Sequence, residues 1–511
     1  MATQAVDAGG LIDEATDGIG RGMARGAAWM VLMRLVVRGA SIVNMVILAR
    51  LLVPEDFGLI AMAMIVISAI DVFSEFNFDI VLIRQRTTSR VDYDTAWTLS
   101  IIRGVVAAGV LLALAAPAAD LFDEARLQPV IAALAVSPLI AGFENIGLVD
   151  FRKALKFRQD FLFMAGAKIV SVVIAVALAL IWRNYWALVG GMIGGSLWRV
   201  AASFAMHPYR PRLSLAHWRE LFAFTKWLLL HNILLFFRNR ADRLVIGKLL
   251  GAATLGVYSL AFDLSNMVTS ELMAPVRRAL YPGYARLAAE PARMRAMFVD
   301  VFALTLWIGA PLPIGIGLLA DPLIHLLLGD GWAGAVPITQ LLVIAGLFAL
   351  LSSGSQPVFL ALGRPELQTY LMALSVVLLL PAIVVGVLAK GVLGAALALV
   401  LVRTLVALID IIVVMSLLKV AVRDIAAICW RSVVSLGLMS VAVHEIMRTW
   451  PRHGGAADDA LLLVMSVVAA GTVYFGCSFL LWRLSGSGEG PERHIWTGLS
   501  AAAASLRVRA A

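Results

Sequence analysis

Charged residues are scarce in this sequence: Asp, Glu, Lys and Arg make up 15% of its 511 residues. A soluble protein of this length would carry about 25%. Hydrophobic residues supply 61% of the chain, and the mean hydropathy is +0.91. This composition excludes a large soluble domain and indicates a chain that crosses a membrane many times.

The motifs of soluble enzymes are also missing. The sequence has no GxxxxGK[ST] P-loop, and its seven histidines show no HExxH or other metal-ligand spacing. Cys429 and Cys477 lie in apolar runs without CxxC spacing, so no disulfide framework is expected. We therefore expect no catalytic residue, no cofactor and no metal site. The net charge of +9 is explained better by basic cytoplasmic loops than by nucleic-acid binding.

Long apolar runs are abundant, and about fourteen of them reach the length that one membrane span requires. These predicted spans lie near 27–51, 57–83, 94–118, 129–149, 160–182, 184–206, 222–248, 255–276, 296–320, 335–360, 367–389, 391–418, 425–446 and 459–482. If the N-terminus is cytoplasmic, the inside segments hold about 24 Lys and Arg and the outside segments about 7. Both termini are therefore predicted to be cytoplasmic.

An internal repeat relates the two halves of this span pattern. "ARLLVPEDFGLIAMA" (49–63) aligns without gaps to "GKLLGAATLGVYSLA" (247–261), and each copy caps the first hairpin of a six-span block. This predicts an all-α polytopic membrane protein with two parallel six-helix lobes around a central cavity, plus two extra helices. The predicted organisation is a cytoplasmic tail (1–26), an N-lobe (27–219), a C-lobe (220–418), spans thirteen and fourteen (419–482) and a second cytoplasmic tail (483–511).

Three carboxylates share one helix face in "DVFSEFNFD": Asp71, Glu75 and Asp79. Around the turn near 54–55, Arg38 lies at the depth of Asp71, and Arg34 at the depth of Glu75. One interpretation is an ion-paired ladder that holds the first hairpin together. The other is a wet cavity in which arginines attract an anion, and the two can overlap. No basic residue of the first span lies at the predicted depth of Asp79, so Asp79 has no predicted partner.

Further charges lie in spans three and seven. Arg103 reaches about the same depth as the acidic residues of span two. "FFRNRADRL" contains Arg238, Arg240, Asp242 and Arg243. These four residues are either interfacial anchors with an internal Asp–Arg pair or part of a cationic site that faces the first lobe.

Closely spaced glycines mark span six. The stretch "VGGMIGGSLW" (189–198) contains two GxxxG pairs, Gly190/Gly194 and Gly191/Gly195. We interpret them as a site of tight helix packing rather than phosphate binding.

Six segments in order carry a family resemblance: "ILARLLVPEDFGLIAMA", "LIRQR", "DYDTAWTLSIIRG", "LVDFRKALKF", "NYWALVGG" and "NRADRLVIGKLLGAATLGVYSLA". Over roughly 27–420, the chain resembles the bacterial polysaccharide-repeat flippases of the multidrug/oligosaccharidyl-lipid/polysaccharide exporter superfamily. The resemblance implies an alternating-access transporter that moves an undecaprenyl-diphosphate-linked oligosaccharide from the inner to the outer leaflet of the plasma (inner) membrane. Membrane lipid and polysaccharide polymerase or export proteins are the implied partners.

The cavity interpretation and the resemblance together give the intramembrane charges candidate roles. The candidates for substrate binding in a cationic cavity are Arg34, Arg38, Arg103, Arg238, Arg240 and Arg243. The candidates for ion coupling or ion pairing are Asp71, Glu75, Asp79 and Asp242.

Three other functions stay open at this point. A multidrug antiporter of the related branch would have about twelve spans and a cavity dominated by acids. A polysaccharide polymerase or ligase would resemble proteins with a large periplasmic loop, and no predicted loop here is long enough. A structural member of an export complex, without transport of its own, is the third.

Overall fold

The computed structural model describes the backbone of residues 7–74, 82, 89–154, 156–216, 226–450, 456–486 and 490–493. All regular secondary structure in these segments is helical, which confirms the predicted all-α class. The chain divides into two compact units, Met1–Ile233 and Leu234–Ala511. The finer division into lobes, added spans and tails stays a prediction.

The first unit contains eight described helices. They are α1 (Asp7–Leu51), α2 (Pro54–Ser74), α3 (Arg90–Phe122), α4 (Leu127–Leu134), α5 (Val136–Gly142), α6 (Val149–Lys153), α7 (Phe157–Trp182) and α8 (Trp186–Met206).

The next helix begins in the first unit and continues into the second. The remaining helices are α9 (Lys226–Arg286), α10 (Pro291–Gly309), α11 (Pro311–Leu318), α12 (Ala320–Leu328), α13 (Ala335–Leu351), α14 (Ser355–Ala361), α15 (Pro365–Leu418), α16 (Val422–Thr449) and α17 (Ala456–Leu484).

Ten helices in the described part of the chain are long and apolar enough to cross a membrane, or eleven if a bent pair near 127–153 is one span. Two of the ten are interrupted. Helix α9 breaks at Gly251 (φ 77°), and α15 breaks at Lys390 and Gly391 (φ 58°). Each break falls at the junction of two spans that the sequence predicts as separate. A positive φ interrupts a right-handed helix, and glycine adopts it without steric cost. The count of fourteen stays a prediction.

The break in α15 produces a tight hairpin. In one continuous helix, Gly386 and Gly394 would be separated by about 12 Å. Here the two glycine backbones touch, and a methyl group on Gly394 would collide with the Gly386 carbonyl. Two facing glycines therefore allow the two halves of α15 to approach closely.

Helices α7 and α8 pack along each other, and α1 packs on α7. A methyl group added to Gly191 of α8 would lie 2.8 Å from the Ser171 carbonyl oxygen of α7, and one on Gly195 would lie 3.0 Å from Ser171 Cβ. Neither space accepts a larger side chain without a shift. The predicted packing role of the glycines in span six is confirmed.

The outer surface carries large apolar side chains. Leu388 is 75% exposed, Ile181 73% and Val377 67%. Such positions are favourable in contact with lipid and costly in contact with water. Polar side chains such as Asp242, Ser265 and Ser466 are buried instead. This pattern is that of a multi-pass membrane protein.

Candidate functional site

A polar cavity of about 290 Å³ lies within the first unit. It is lined by α3, the segment 141–152, the start of α7 and the end of α8. Its charged lining groups are Arg103, Glu144, Arg152, Asp160 and Arg199. Three guanidinium groups thus share the cavity with two carboxylates, which leaves an excess of positive charge.

Two of these arginines are paired. Arg199 donates from Nε to Glu144 Oε2 over 2.9 Å and from Nη2 to Oε1 over 3.2 Å, which is the bidentate geometry that holds a guanidinium in one plane. Arg152 donates to Asp160 Oδ1 over 3.5 Å. Arg103 is half-buried and, within the described residues, makes no hydrogen bond or ion pair. Its charge is therefore available to a ligand.

A polar network joins two of the family-like motifs and includes Asp150, whose neighbours Val149 and Phe151 line the cavity. Tyr93 of "DYDTAW" donates to Asp150 Oδ1 of "LVDFRK" over 2.5 Å and accepts from Lys153 over 3.2 Å. Asp94 Oδ1 accepts from the Tyr209 hydroxyl over 2.6 Å. These contacts connect residues 150–153 and Tyr209, which follows α8, to the start of α3.

The turn that carries the cavity wall depends on Asn145, which is 1% exposed. Its Oδ1 accepts from Gly147 N over 3.0 Å, and its Nδ2 donates to the Tyr209 carbonyl over 2.8 Å. His207, just after α8, lies 3.5 Å from Asp150, and its Nδ1 accepts from Tyr209 N over 3.2 Å. Burial lowers the pKa of His207, although the Asp150 charge opposes this shift.

The second unit contains a separate polar cavity of about 270 Å³. It is lined by α9, the end of α13, α14 and both halves of α15. Amide and hydroxyl groups dominate its polar lining: Asn239, Ser352, Ser353, Gln356, Gln368 and Ser375. Arg238, Arg403 and Asp410 supply its charges.

Arg403 and Asp410 lie two helical turns apart on α15. Arg403 is held by a 3.5 Å hydrogen bond to the Arg238 carbonyl and by the ring of Phe262, 5.3 Å from its centroid. Within the described residues it forms no ion pair. Asp410 Oδ1 is buried and has no hydrogen-bond partner among the described residues. Both side chains can therefore interact with a molecule in the cavity.

The other charges predicted in span seven pack inside the second unit. Arg243 forms an ion pair with Asp263 over 2.9 Å and lies 4.7 Å from the Phe262 ring centroid. Asp242 is fully buried and accepts from the Tyr258 hydroxyl over 2.8 Å. Arg240 is half-buried and lies close enough to Arg243, Asp242 and Asp263 for their charges to interact with it. Of the predicted arginines of span seven, Arg238 alone is among the residues that line the cavity.

The predicted ladder of the first hairpin is described only in part. Glu75 and Asp79 lie outside the described residues, and Asp71 is exposed. Arg34 and Arg38 are half-buried on α1. Arg38 lies close enough to Lys168 of α7 for the two positive charges to interact. The pairing of Arg38 with Asp71 and of Arg34 with Glu75, and the roles given to these residues, stay predictions.

Several cavity residues are not among those that the sequence predicts. Asp410 interrupts the apolar run "TLVALIDIIVV", and an isolated intramembrane carboxylate is a signal that could have found it. Glu144, Asp160, Gln356 and Gln368 lie near predicted span ends, where polar residues are ordinary. The sequence offers no signal that separates these four from other interfacial residues.

Comparison with known proteins identifies the family. A family model described as "Polysaccharide biosynthesis protein" matches residues 47–337, more than half of the chain. The chain belongs to this family. This confirms the resemblance inferred from the motifs.

Two proteins similar to this chain are named for the biosynthesis of lipopolysaccharide and of succinoglycan. The lipopolysaccharide biosynthesis protein WzxC of Escherichia coli is 24% identical over 74% of this chain and 78% of its own length. The succinoglycan biosynthesis transport protein ExoT of Rhizobium meliloti is 27% identical over 63% and 66%. The fold is similar to that of the lipid II flippase MurJ in an inward closed conformation, with a TM-score of 0.71 at 11% identity over 89% of this chain and 99% of MurJ.

Proposed function

We propose that this protein is a flippase. It moves undecaprenyl-diphosphate-linked oligosaccharide repeat units from the inner to the outer leaflet of the bacterial inner membrane by alternating access. The observation that carries the proposal is the cationic cavity of the first unit, where Arg103 has no ion-pair partner within the described residues. The family, the curated relatives and the MurJ-like fold support the same conclusion.

The chemistry of the substrate explains why such a cavity is needed. A diphosphate carries negative charge, and moving it through hydrocarbon without a partner is prohibitively costly. A guanidinium offers several donors in one plane and is only weakly hydrated, so it can replace the water around a phosphate. Arg103 contributes this group, while Arg199 and Arg152 add positive potential from their paired positions.

The glycan and the polyprenyl chain of the substrate also need surroundings that match their polarity. The polar glycan travels in a protein-lined space, and the polyprenyl chain stays in lipid, where its transfer costs nothing. Both termini of the protein are cytoplasmic in this proposal. Arg34 and Arg38 extend the cationic path, and Asp71, Glu75 or Asp79 couples transport to an ion. Polymerase and export proteins then use the translocated unit.

A vesicle assay tests the proposal directly. The purified protein is reconstituted in liposomes that contain lipid-linked repeat units with a fluorescent group on the glycan. Transport changes the fraction of dye that a membrane-impermeant quencher reaches. We expect faster equilibration than in protein-free vesicles. Equal rates in both would refute the flippase function.

A matched pair of variants tests the role of the cavity. Arg103→Ala should reduce the rate at least tenfold, because a hydrogen bond to a charged group contributes about 1.5–3 kcal/mol. Arg103→Lys should retain part of the rate, since it keeps the charge but loses the planar donors. Arg293→Ala, at a side chain that is 74% exposed and paired on the surface with Glu290, is the control. Full transport by Arg103→Ala would show that this arginine is structural.

A further inference from the structure

We infer that the cavity of the second unit is a glycan subsite, which binds one sugar residue of the transported repeat unit. This inference rests on the proposed function and assigns the sugar and the diphosphate to different cavities. The cavity lies wholly among residues of the second unit, between α9, α13, α14 and the two halves of α15. Its lining differs from that of the first cavity in the kind of polar group it offers.

Amides and hydroxyls are the groups that recognise sugars. Each sugar hydroxyl both donates and accepts, and Asn and Gln side chains do the same through separate atoms. Asn239, Gln356 and Gln368 supply three amides from three different helices, and serines add hydroxyl groups. Leu371 and Met372 supply an apolar surface against which the C–H face of a sugar ring can pack.

The two charged groups on α15 fit the same ligand. Residues seven apart lie on one helix face, about 10 Å from each other along the axis. Arg403 and Asp410 therefore do not neutralise each other, and no ion pair joins them within the described residues. Asp410 Oδ1, buried and unpartnered there, can accept a hydrogen bond from a sugar hydroxyl. Arg403 can donate to a ring oxygen or to the carboxylate of an acidic sugar.

Size and charge argue against other occupants. A volume of about 270 Å³ is below the roughly 300–1,000 Å³ of sites for drug-sized ligands, so it suits one sugar rather than a complete repeat unit. A metal ion would find a single carboxylate and two guanidinium groups, Arg238 and Arg403, which disfavour a cation.

Binding measurements with two separate probes test the subsite. The first probe is the free repeat-unit oligosaccharide, released from its lipid carrier, and the second is undecaprenyl diphosphate without sugar. Both are titrated calorimetrically against the full-length protein in lipid nanodiscs. Asp410→Asn should weaken oligosaccharide binding about tenfold or more, by loss of a hydrogen bond to a charged group, and Gln368→Ala about two- to tenfold, by loss of a neutral hydrogen bond. Both variants should leave undecaprenyl diphosphate binding unchanged. Arg103→Ala should give the reverse pattern.

The control is Gln340→Ala, which removes an exposed glutamine of α13 that is not among the cavity-lining residues. Oligosaccharide binding by Asp410→Asn and Gln368→Ala within twofold of the control would overturn the subsite. Equal weakening of both probes would also overturn it, as would a wild-type protein that does not bind the free oligosaccharide. If Asp410→Asn does not fold, Gln368→Ala and Gln356→Ala decide the question.

A different experimental result would refute the proposed flippase function. If the wild-type protein does not move lipid-linked repeat units in vesicles, the flippase function is wrong whatever the binding data show. If it moves them but Asp410→Asn and Gln368→Ala do not selectively weaken oligosaccharide binding, the flippase function stands and the sugar subsite alone is wrong.

Discussion

Replacing Glu492 by Ala should destabilise the second unit strongly. The sequence predicts a cytoplasmic tail over 483–511, yet the structure buries Gly490, Pro491 and Glu492. Glu492 is 3% exposed and Arg431 of α16 is 4% exposed, with Nη2 of the arginine 3.3 Å from Oε2 of the glutamate. The second oxygen, Oε1, accepts from Ser478 of α17 over 3.0 Å.

The size of the effect follows from this burial. Breaking a buried ion pair by removing one partner costs about 3–5 kcal/mol, because the other charge is left unpaired. The pair is also connected to α10: Trp307 donates to Ser478 over 2.7 Å, and Tyr474 donates to the Trp307 carbonyl over 2.9 Å. The double variant Arg431→Met with Glu492→Leu should recover much of the loss, since well-packed apolar groups often replace such a pair at little cost.

Thermal unfolding of the purified protein in detergent, followed by tryptophan fluorescence, measures this loss. Glu290→Ala is the matched control, because Glu290 pairs with Arg293 over 2.8 Å on an exposed surface. Such a surface pair contributes about 0–1 kcal/mol. If Glu492→Ala unfolds at the same temperature as Glu290→Ala, the tail does not hold these helices together and the reasoning is wrong.

Three further predictions concern helix packing and pH. Gly191→Ala should cost about 1–3 kcal/mol in unfolding free energy by overpacking against α7, whereas Gly471→Ala, with open space around it, should not destabilise. Gly394→Ala should lower the yield of folded protein in size-exclusion chromatography, because it blocks the α15 hairpin. His207 should make the protein less stable as pH falls below 6.5, since its lowered pKa means that the unfolded chain takes up the proton first. His207→Gln should remove this part of the pH dependence of the unfolding temperature, and an unchanged slope would contradict it.

The breaks at Gly251 and Gly391 show how much of the fold could be predicted locally. Each lies between two apolar runs that the sequence separates, because hydropathy and glycine conformation act within a few residues. The packing of Gly191 against α7 was predictable for a similar reason, as small residues at helical spacing permit close approach.

The candidate site was predictable only in outline. Arg103 and Arg238 were selected as intramembrane cations, and both line cavities. Their surroundings were not predictable, since Arg199 takes its partner Glu144 from 55 residues away in the chain. Which side chains meet depends on the rotation of each helix about its axis, and an apolar helix pattern leaves that rotation open.

Three properties of this protein followed from the sequence by itself: its location in a membrane, its all-helical class and its family. Apolar transfer scales with the apolar area, and in lipid a helix satisfies its backbone hydrogen bonds within one segment, so composition and spacing determine the first two. The order and spacing of the motifs gave the third. The tertiary structure alone decided which intramembrane charges are paired, which remain available to a ligand, and that Glu492 of the tail is buried against Arg431. These outcomes depend on contacts between distant segments, whose energy is realised only when the helices are packed.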